Sequence, residues 1–548
     1  RLSLYGGHAA ERSLERVSLM HGIQETASRR GASSHQQSPF LALARKDATE
    51  SKGDVYGFSL VWSGEFSFRT EVEQFGTTRV IGGINPAEFC WHLKAGESFQ
   101  TPEALLVYSS DGLNGMSQAF HHIVREHIVR GRHQHALRPI LVNNWEATYF
   151  DFDDEKIDKL ADCAADLGIE LLVLDDGWFG HRNDDNSSLG DWVINTQKLK
   201  KGLNGVADSA HRRGLKFGLW FEPEMVNKDS DLYRAHPDWI LQTPQRHSCH
   251  GRNQYVLDFS RKEVVDCIYE MMYKILSEAK VSYIKWDMNR SITECCSAAL
   301  PADRQGEVFH RYILGVYDLY ERLNTAFPQI LFESCASGGG RFDPGILYYA
   351  PQGWTSDDTD AAERVKIQYG TSMCYPVSSM GSHVSVVPNH QLNRKTPLHT
   401  RANVAYFGTF GYELDLNKLS DEEISEVKQQ ITFMKEYREL IQFGTFYRLK
   451  SPFEGNETAW MTVSEDKKTA LVFWYRERNV VNADFTRVRL QGLDPDLIYR
   501  NEYNETENYG DELMNLGLLT TDCTAGEPTS EDEPCTDYES RIYVLTAK

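Results

Sequence analysis

A closed (β/α)8 barrel of the TIM type, with β-rich domains at both ends, is the α/β fold this sequence predicts. Three observations predict it. From about residue 138 to 448, apolar strand-like runs alternate with amphipathic helical stretches, the rhythm of parallel βα units. Four of these runs close in acids or indoles: Leu171-Leu172-Val173-Leu174-Asp175-Asp176-Gly177-Trp178, Phe217-Gly218-Leu219-Trp220-Phe221-Glu222, Tyr283-Ile284-Lys285-Trp286-Asp287 and Gly353-Trp354-Thr355-Ser356-Asp357-Asp358. A strand that is apolar throughout and polar at its C-terminal end is the signature of a barrel whose active face lies there. Outside residues 138–448 the pattern turns to period-two alternation with turn signals, which predicts antiparallel sheets.

The elements follow in order. Residues 1–137 form a partial β-sandwich, with strands at 55–62 and 104–108 and a helix over 116–130 leading out. The first barrel strand covers 140–145, and the helix at 153–167 opens with an acidic turn that suits its dipole. Strands at 171–176, 216–221 and 283–287 are separated by helices at 205–213 and 262–279. The helix at 309–326 stops before Pro328, as a proline demands. The fifth strand is 330–333 and the sixth 354–357. Fainter runs at 378–383 and 404–407 complete the eight. Residues 449–548 form a C-terminal antiparallel sheet domain with strands at 458–463, 469–475 and 541–545; the polar stretch 522–533 inside it is expected to be a mobile loop.

The 548 residues exceed one ordinary core, so two or three domains are expected. A formal net charge of −21 argues against a nucleic-acid or anionic-membrane partner, since each needs a basic face. No apolar run approaches the roughly 18 residues of a membrane span. The opening Arg1-Leu2-Ser3-Leu4-Tyr5 has neither an initiator Met nor a signal-peptide core, and the chain is expected to begin inside a longer protein. The ten cysteines follow no metal or disulfide framework, so reduced thiols and a cytoplasmic location are expected. Cys523 and Cys535 are the one pair placed to bridge. Sequons occur at Asn186, Asn289, Asn456 and Asn504; a glycan at Asn289 would block the richest motif of the chain.

Acids and indole rings gathered on one face suit a sugar: carboxylates hold hydroxyls or do acid/base work, and flat rings stack on pyranoses. Glycoside hydrolysis uses two carboxylates flanking the bond. Asp287 and Asp357 end the fourth and sixth strands, two apart around the ring. Lys285 shares a face with Asp287 and would keep it ionised; a Lys–Asp pair bracing the barrel is the alternative. Asp175 and Asp176 reach one ligand only if their strand is ending, and Gly177 supplies the turn. A metal site or helix cap is the alternative, but no His/Asp/Glu cluster at ligand spacing supports a metal. Trp145, Trp178, Trp220 and Trp354 all fall at or near strand ends. The run Ser334-Cys335-Ala336-Ser337-Gly338-Gly339-Gly340-Arg341 lacks the Gly-Lys-Ser/Thr of a phosphate loop, and its glycines are expected to let backbone approach a ligand. Arg252, in a Gly/Asn loop, reads by itself as a surface residue.

LDDGWFG, GLWFEPEM, YIKWDMNR, ESCASGGGRFD and WTSDDTDAAERVKIQYG, in that order, closely resemble the α-galactosidases of glycoside hydrolase family 36. YGGHAAERSLERVSLMHGIQ, SSHQQSPF, MGSHVSVVPNHQ and ANVAYFGTFGYELDLNKLS extend the resemblance through nearly the whole chain. It implies a cofactor-free retaining exo-enzyme acting on melibiose- and raffinose-type galactosides. Asp287 would be the nucleophile and Asp357 the general acid/base. Asp175 and Asp176 would hold the hydroxyls that distinguish galactose from glucose. Trp220, Arg252, Lys285, Cys335 and Gly338 would contact the sugar, and Trp145 would line the leaving-group side. Relatives usually read SDNTD where this chain has Asp358, an extra carboxylate that could raise the pKa of Asp357. The resemblance also implies a larger N-terminal sandwich and a homo-tetramer for the full-length protein. α-N-Acetylgalactosaminidase or galactosyl-transfer activity would use the same residues, and a catalytically silent sugar-binding barrel is the reading from another class.

Overall fold

The computed structural model describes residues 1–481, 485–520 and 537–548. Its centre is a closed parallel barrel of eight strands: β1 Leu141–Asn143, β2 Leu171–Leu174, β3 Lys216–Phe221, β4 Tyr283–Trp286, β5 Leu331–Ser334, β6 Gln352–Trp354, β7 Met380–Ser385 and β8 Thr409–Glu413, with β8 closing on β1. Alternation along the strands divides the side chains between two cores. Leu141, Leu171, Val173, Tyr283 and Leu331 pack together as one buried cluster. Leu172, Leu174, Ile284 and Phe332 belong to the other, which takes in the surrounding helices.

Helix Asp154–Leu167 shows the local logic. Asp153 caps it by accepting from the Glu155 and Lys156 amides, and Gly168, at φ 87°, ends it in the left-handed conformation. Helices Lys262–Glu278 and Val308–Ala326 likewise occupy their expected places.

Three strands depart from expectation. Residues 404–407 lie at the end of helix Leu398–Ala405 and in the turn after it, and the eighth strand follows at Thr409–Glu413. A four-residue apolar run fits either element, and here Leu398, Ala402 and Ala405 are buried at helical spacing. β7 begins two residues later than expected and runs on to Ser385. β6 stops at Trp354, so Asp357 lies on the loop beyond it.

The N-terminal part is two antiparallel sheets. One orders its strands Ala10–Arg16, Leu2–Gly7, Gln37–Ala44, Val55–Val61, Glu103–Ser109; the other pairs Gly22–Ala27, Phe66–Val72 and Thr78–Ile84. Helix Gly112–Ile123, continued by one wide turn over Val124–Ile128, leads to the barrel. Among the described residues the C-terminal sheet has six strands, including Glu457–Val463, Thr469–Arg476 and Glu539–Ala547, and its own core around Met461, Trp474 and Tyr543. The stretch 522–533, with Cys523 and Cys535, lies outside the described residues. The eight described cysteines are free thiols. Among the described residues no helix is long and apolar enough to cross a membrane.

The first hairpin positions the site. Strand Ala10–Arg16 lies against helix Ala361–Thr371, which follows β6. The contact is so close that a Cβ on Gly370 would fall 1.7 Å from the Arg12 carbonyl. Buried Arg12 donates to Thr371 Oγ1 (2.7 Å), to the Gly339 carbonyl (3.2 Å) and to the Thr355 carbonyl. Glu11 accepts from the Gly339 amide (3.1 Å) and the Ser356 hydroxyl. These bonds carry the hairpin turn, with His8, into the barrel mouth.

Candidate active site

A cavity of about 240 Å³ opens at the C-terminal ends of the barrel strands, and both Asp287 and Asp357 line it. Asp287 directly follows β4. Its Oδ1 accepts from the Met288 amide (2.8 Å) and the Ser337 amide (3.1 Å). Its Oδ2 accepts from Asn289 Nδ2 (2.8 Å) and Trp220 Nε1 (3.2 Å). Four donors from three strand ends fix one carboxylate, and the sequon Asn289 is used up as one of them.

Asp357 is held from a different domain: His8 Nε2 lies 3.1 Å from its Oδ2. Desolvation alone would push Asp357 up; the His8 hydrogen bond and the charges of His8, Lys285 and Arg252 outweigh it and hold the carboxyl below its ordinary value. The sequence pointed to Asp358 as a neighbour that could raise it. Asp358 instead turns away from the cavity and accepts from the Asp360 amide (2.9 Å), with burial lifting its own pKa to about 6. Asp360 caps the next helix, accepting from the Ala362 and Glu363 amides.

Asp175 and Asp176 both line the cavity because β2 ends at Leu174 and Gly177 turns the chain at φ 106°. Asp175 accepts from Asn143 Nδ2 (2.6 Å) and Lys285 Nζ (2.9 Å). Lys285 thus spends its hydrogen bond on Asp175, while Asp287 is one of the charges that, against desolvation, keep its pKa well above the ordinary value. Asp176 meets the buried Arg182 in a bidentate pair, 2.5 Å from Nε to Oδ1 and 2.7 Å from the second arm to Oδ2. Burial still leaves Asp176 above its ordinary pKa, with Arg182 opposing.

Of the four tryptophans, Trp145, Trp220 and Trp354 line the cavity. Trp145 opens a short helix, Trp145–Thr148, edge-on to Tyr149 and Phe150. Trp178 is fully buried; its Nε1 donates to the Trp220 carbonyl (2.9 Å) and its ring packs with Phe179 and Phe221. Arg252 belongs to the cavity rim, at φ 52°. Against desolvation, the charges of Glu222, Asp287, Asp357 and Asp176 hold its pKa above the ordinary value. Cys335 and Gly338 are not on the cavity wall, where Ser337 stands between them. Cys335 is a buried thiol behind it. Gly338, at φ 78°, is needed for close packing of protein on protein: a Cβ would fall 2.5 Å from the Asp357 amide nitrogen and 2.7 Å from Glu11. At these glycines the Asp357 loop and the first hairpin approach the backbone closely.

The acids of GLWFEPEM are also behind the wall. Glu222 accepts from Gln254 Nε2 (3.0 Å) and the Asn289 amide (2.5 Å), and burial, with Asp287 near, lifts it to about 8. Glu224 takes both arms of Arg341 (2.9 and 2.7 Å), Tyr312 and Trp286 in a fully buried cluster.

Sequence reasoning missed His8, Glu146, Asn289, Ser337, Thr359, His390, Gln391 and Glu413, all of which line the cavity, and Arg182. Glu413 ends β8 and would have followed from the rule that found Asp287, had the eighth strand been placed there. Its carboxylate is held by His383 Nδ1 (3.1 Å). Glu146 and His390 pair at the mouth (3.2 Å). Among the described residues no group of three or more His, Cys, Asp and Glu side chains could hold a metal ion.

Three family models match the chain in succession: the glycosyl hydrolase family 36 N-terminal domain over residues 1–94, Melibiase over 98–444 and the family 36 C-terminal domain over 457–545. The chain belongs to glycosyl hydrolase family 36. Within this family it is 56% identical over 517 residues to α-galactosidase AgaA of Geobacillus stearothermophilus, covering 94% of this chain and 71% of that one. It is 51% identical to α-galactosidase 1 of Pediococcus pentosaceus, covering 100% of this chain and 73% of that relative. A crystal structure of an AgaA variant in complex with raffinose superposes with a TM-score of 0.97 at 54% identity, over 100% of this chain and 74% of that one. The family 36 chain is thus a glycoside hydrolase built on the barrel and flanking sheets expected from its sequence.

Proposed function

We propose that this protein is a retaining exo-α-galactosidase that releases terminal α-linked galactose from melibiose- and raffinose-type oligosaccharides. One observation carries the reading. Two carboxylates from the ends of β4 and β6 line a single cavity, one gripped by four donors and the other paired with an imidazole. That division suits a fixed nucleophile and a proton-exchanging partner. Asp287 attacks the anomeric carbon while Asp357 protonates the departing oxygen; water then displaces Asp287 from the galactosyl-enzyme with Asp357 as base.

Asp175 and Asp176, oriented by Lys285 and Arg182, are acceptors for the hydroxyls that mark galactose, and Trp220 and Trp354 offer apolar faces to the ring. Arg252 and Lys285 balance the carboxylates, and Trp145 flanks the leaving group. Raffinose and stachyose complexes of AgaA variants support the substrate class. The full-length protein is proposed to be a homo-tetramer, by family resemblance, and cytoplasmic, in keeping with its free thiols.

The test is product stereochemistry. Hydrolysis of p-nitrophenyl α-galactoside followed by proton NMR should release α-galactose first, with α-glucosides and α-N-acetylgalactosaminides turned over far more slowly. First release of the β anomer would exclude double displacement. Equal turnover of α-glucosides would remove the hydroxyl-reading role of Asp175 and Asp176.

A further inference from the structure

The bond between His8 and Asp357 joins the proposed acid/base to a residue of another domain. His8 occupies the turn of the first hairpin, its side chain 55% exposed at the cavity mouth. The turn does not depend on it for anchorage. Buried Glu11 and Arg12, three and four residues on, fasten the hairpin to Gly339, Thr355, Ser356 and Thr371. Besides Asp357, the imidazole meets the ring of His35 edge-on, 5.6 Å between centroids. Packing therefore gives no reason for an imidazole at this position, whereas its contact with Asp357 does.

A general acid set among cations has a difficulty. The first step requires a proton on Asp357, yet Arg252 from the β3–β4 loop and Lys285 from β4 favour the bare carboxylate. Glu413 on β8, the Cys335 thiol after β5 and His390 after β7 also feel the charge of Asp357. His8 is itself faced by Glu11 from its own hairpin and by Arg252.

We infer that His8 and Asp357 work as one acid/base unit, in which His8 Nε2 stores the proton that Asp357 delivers to the leaving group. The inference rests on Asp357 being the acid/base. In the first step a proton passes from Nε2 to Asp357 Oδ2 and on to the glycosidic oxygen. The bond from C1 to that oxygen breaks, a bond from Asp287 to C1 forms, and the imidazole is left neutral with Nε2 beside Asp357 Oδ2, placed to take the next proton. In the second step water oxygen attacks C1, the bond to Asp287 breaks, and the proton from water returns through Asp357 to Nε2. The cycle neither gains nor loses a proton. The pKa shifts run the same way: the Asp357 hydrogen bond, against desolvation, raises His8 above its ordinary value, and Asp357 is held below its own.

The sign of the pH effect separates this from mere propping. The pair gives up its stored proton as pH rises through the His8 value, above the ordinary imidazole value of about 6.5. The alkaline limb of kcat/KM for raffinose should stand there. In His8→Gln an amide N–H can still donate to Asp357, but no proton is stored. The limb should fall by about one pH unit or more, towards the carboxyl range, and kcat/KM for raffinose at pH 7.5 should drop about tenfold or more. Initial nitrophenol release from p-nitrophenyl α-galactoside should change much less, and its persistence at pH 5 reports a folded site. If His8 only props the carboxyl, removing its charge leaves the limb in place or moves it upward; either result overturns the inference. Asp357→Ala, measured alongside, reports on the premise separately. If it shows no dependence on leaving group, the acid/base reading itself fails, which no His8 variant can imitate.

Discussion

Arg182 reaches the substrate only through Asp176, and replacing it with Met isolates what that support is worth. Both arms of the pair are short, and the two side chains are 1% and 8% exposed. The guanidinium also donates to the Ser187 carbonyl (2.8 Å) and Asn227 Oδ1 (3.3 Å); Met removes those bonds too, but Asn227 Oδ1 keeps the Leu189 amide (2.8 Å), and the charged group left unpaired is the Asp176 carboxylate. Breaking one side of a buried pair costs about 3–5 kcal/mol, and a hydrogen bond to a charged group is worth about 1.5–3 kcal/mol. Part of that loss should appear as a lower Tm and part as weakened transition-state binding. A share of about 2.7 kcal/mol is a hundredfold in kcat/KM. Burial already raises Asp176, and Arg182 is its chief opposing influence. Without Arg182 the carboxyl rises further and is protonated at low pH, where it donates to a sugar hydroxyl instead of accepting from it. Activity should therefore recover as pH rises and the carboxyl re-ionises. The assay is kcat/KM for p-nitrophenyl α-galactoside from pH 5 to 8.5. Arg182→Met should fall about a hundredfold at pH 5.5 and regain about tenfold by pH 8; Arg182→Lys, which keeps charge but not the fork, should lie between. A kcat/KM within about threefold of the parent at pH 5.5, with an unchanged Tm, would refute this account of Asp176.

Asp287→Ala should abolish hydrolysis even with activated leaving groups, and azide should trap a β-galactosyl azide; near-parental turnover would end its assignment as nucleophile. Asp357→Ala should cripple raffinose hydrolysis far more than nitrophenol release, with azide giving the α-galactosyl product. Asp358→Ala should show no such pattern, since its carboxylate is turned to the Asp360 amide, and finding the signature there would move the acid/base by one residue. Asp176→Asn should lose about 2–4 kcal/mol of transition-state stabilisation, read as kcat/KM, with a loss under threefold counting against it. Arg341→Met, which strands the fully buried Glu224, should destabilise the fold by about 3–5 kcal/mol in urea denaturation; an unchanged midpoint would show that Tyr312 and Trp286 suffice.

The sequence by itself determined the barrel and its reactive face. Strands buried on both sides must be apolar, so an acid is tolerated only where the strand runs out, and that rule alone marks Asp175, Asp176 and Asp287. The same rule marked Glu222 and Trp178, which tertiary structure turns inward, because a residue just past a strand points wherever the next loop is pulled. Val404 was misplaced because four apolar residues carry too little periodicity to tell a helix end from a strand, and Glu413 was lost with it. Only the tertiary structure decided the partners. Arg182 finds Asp176 through a loop, and His8 and Glu11 reach Ser356 and Asp357 across more than 340 positions. Local pattern records which residues avoid water, but the closing of a charge pair depends on where two distant loops meet, and that is settled when the first hairpin packs against the helix after β6.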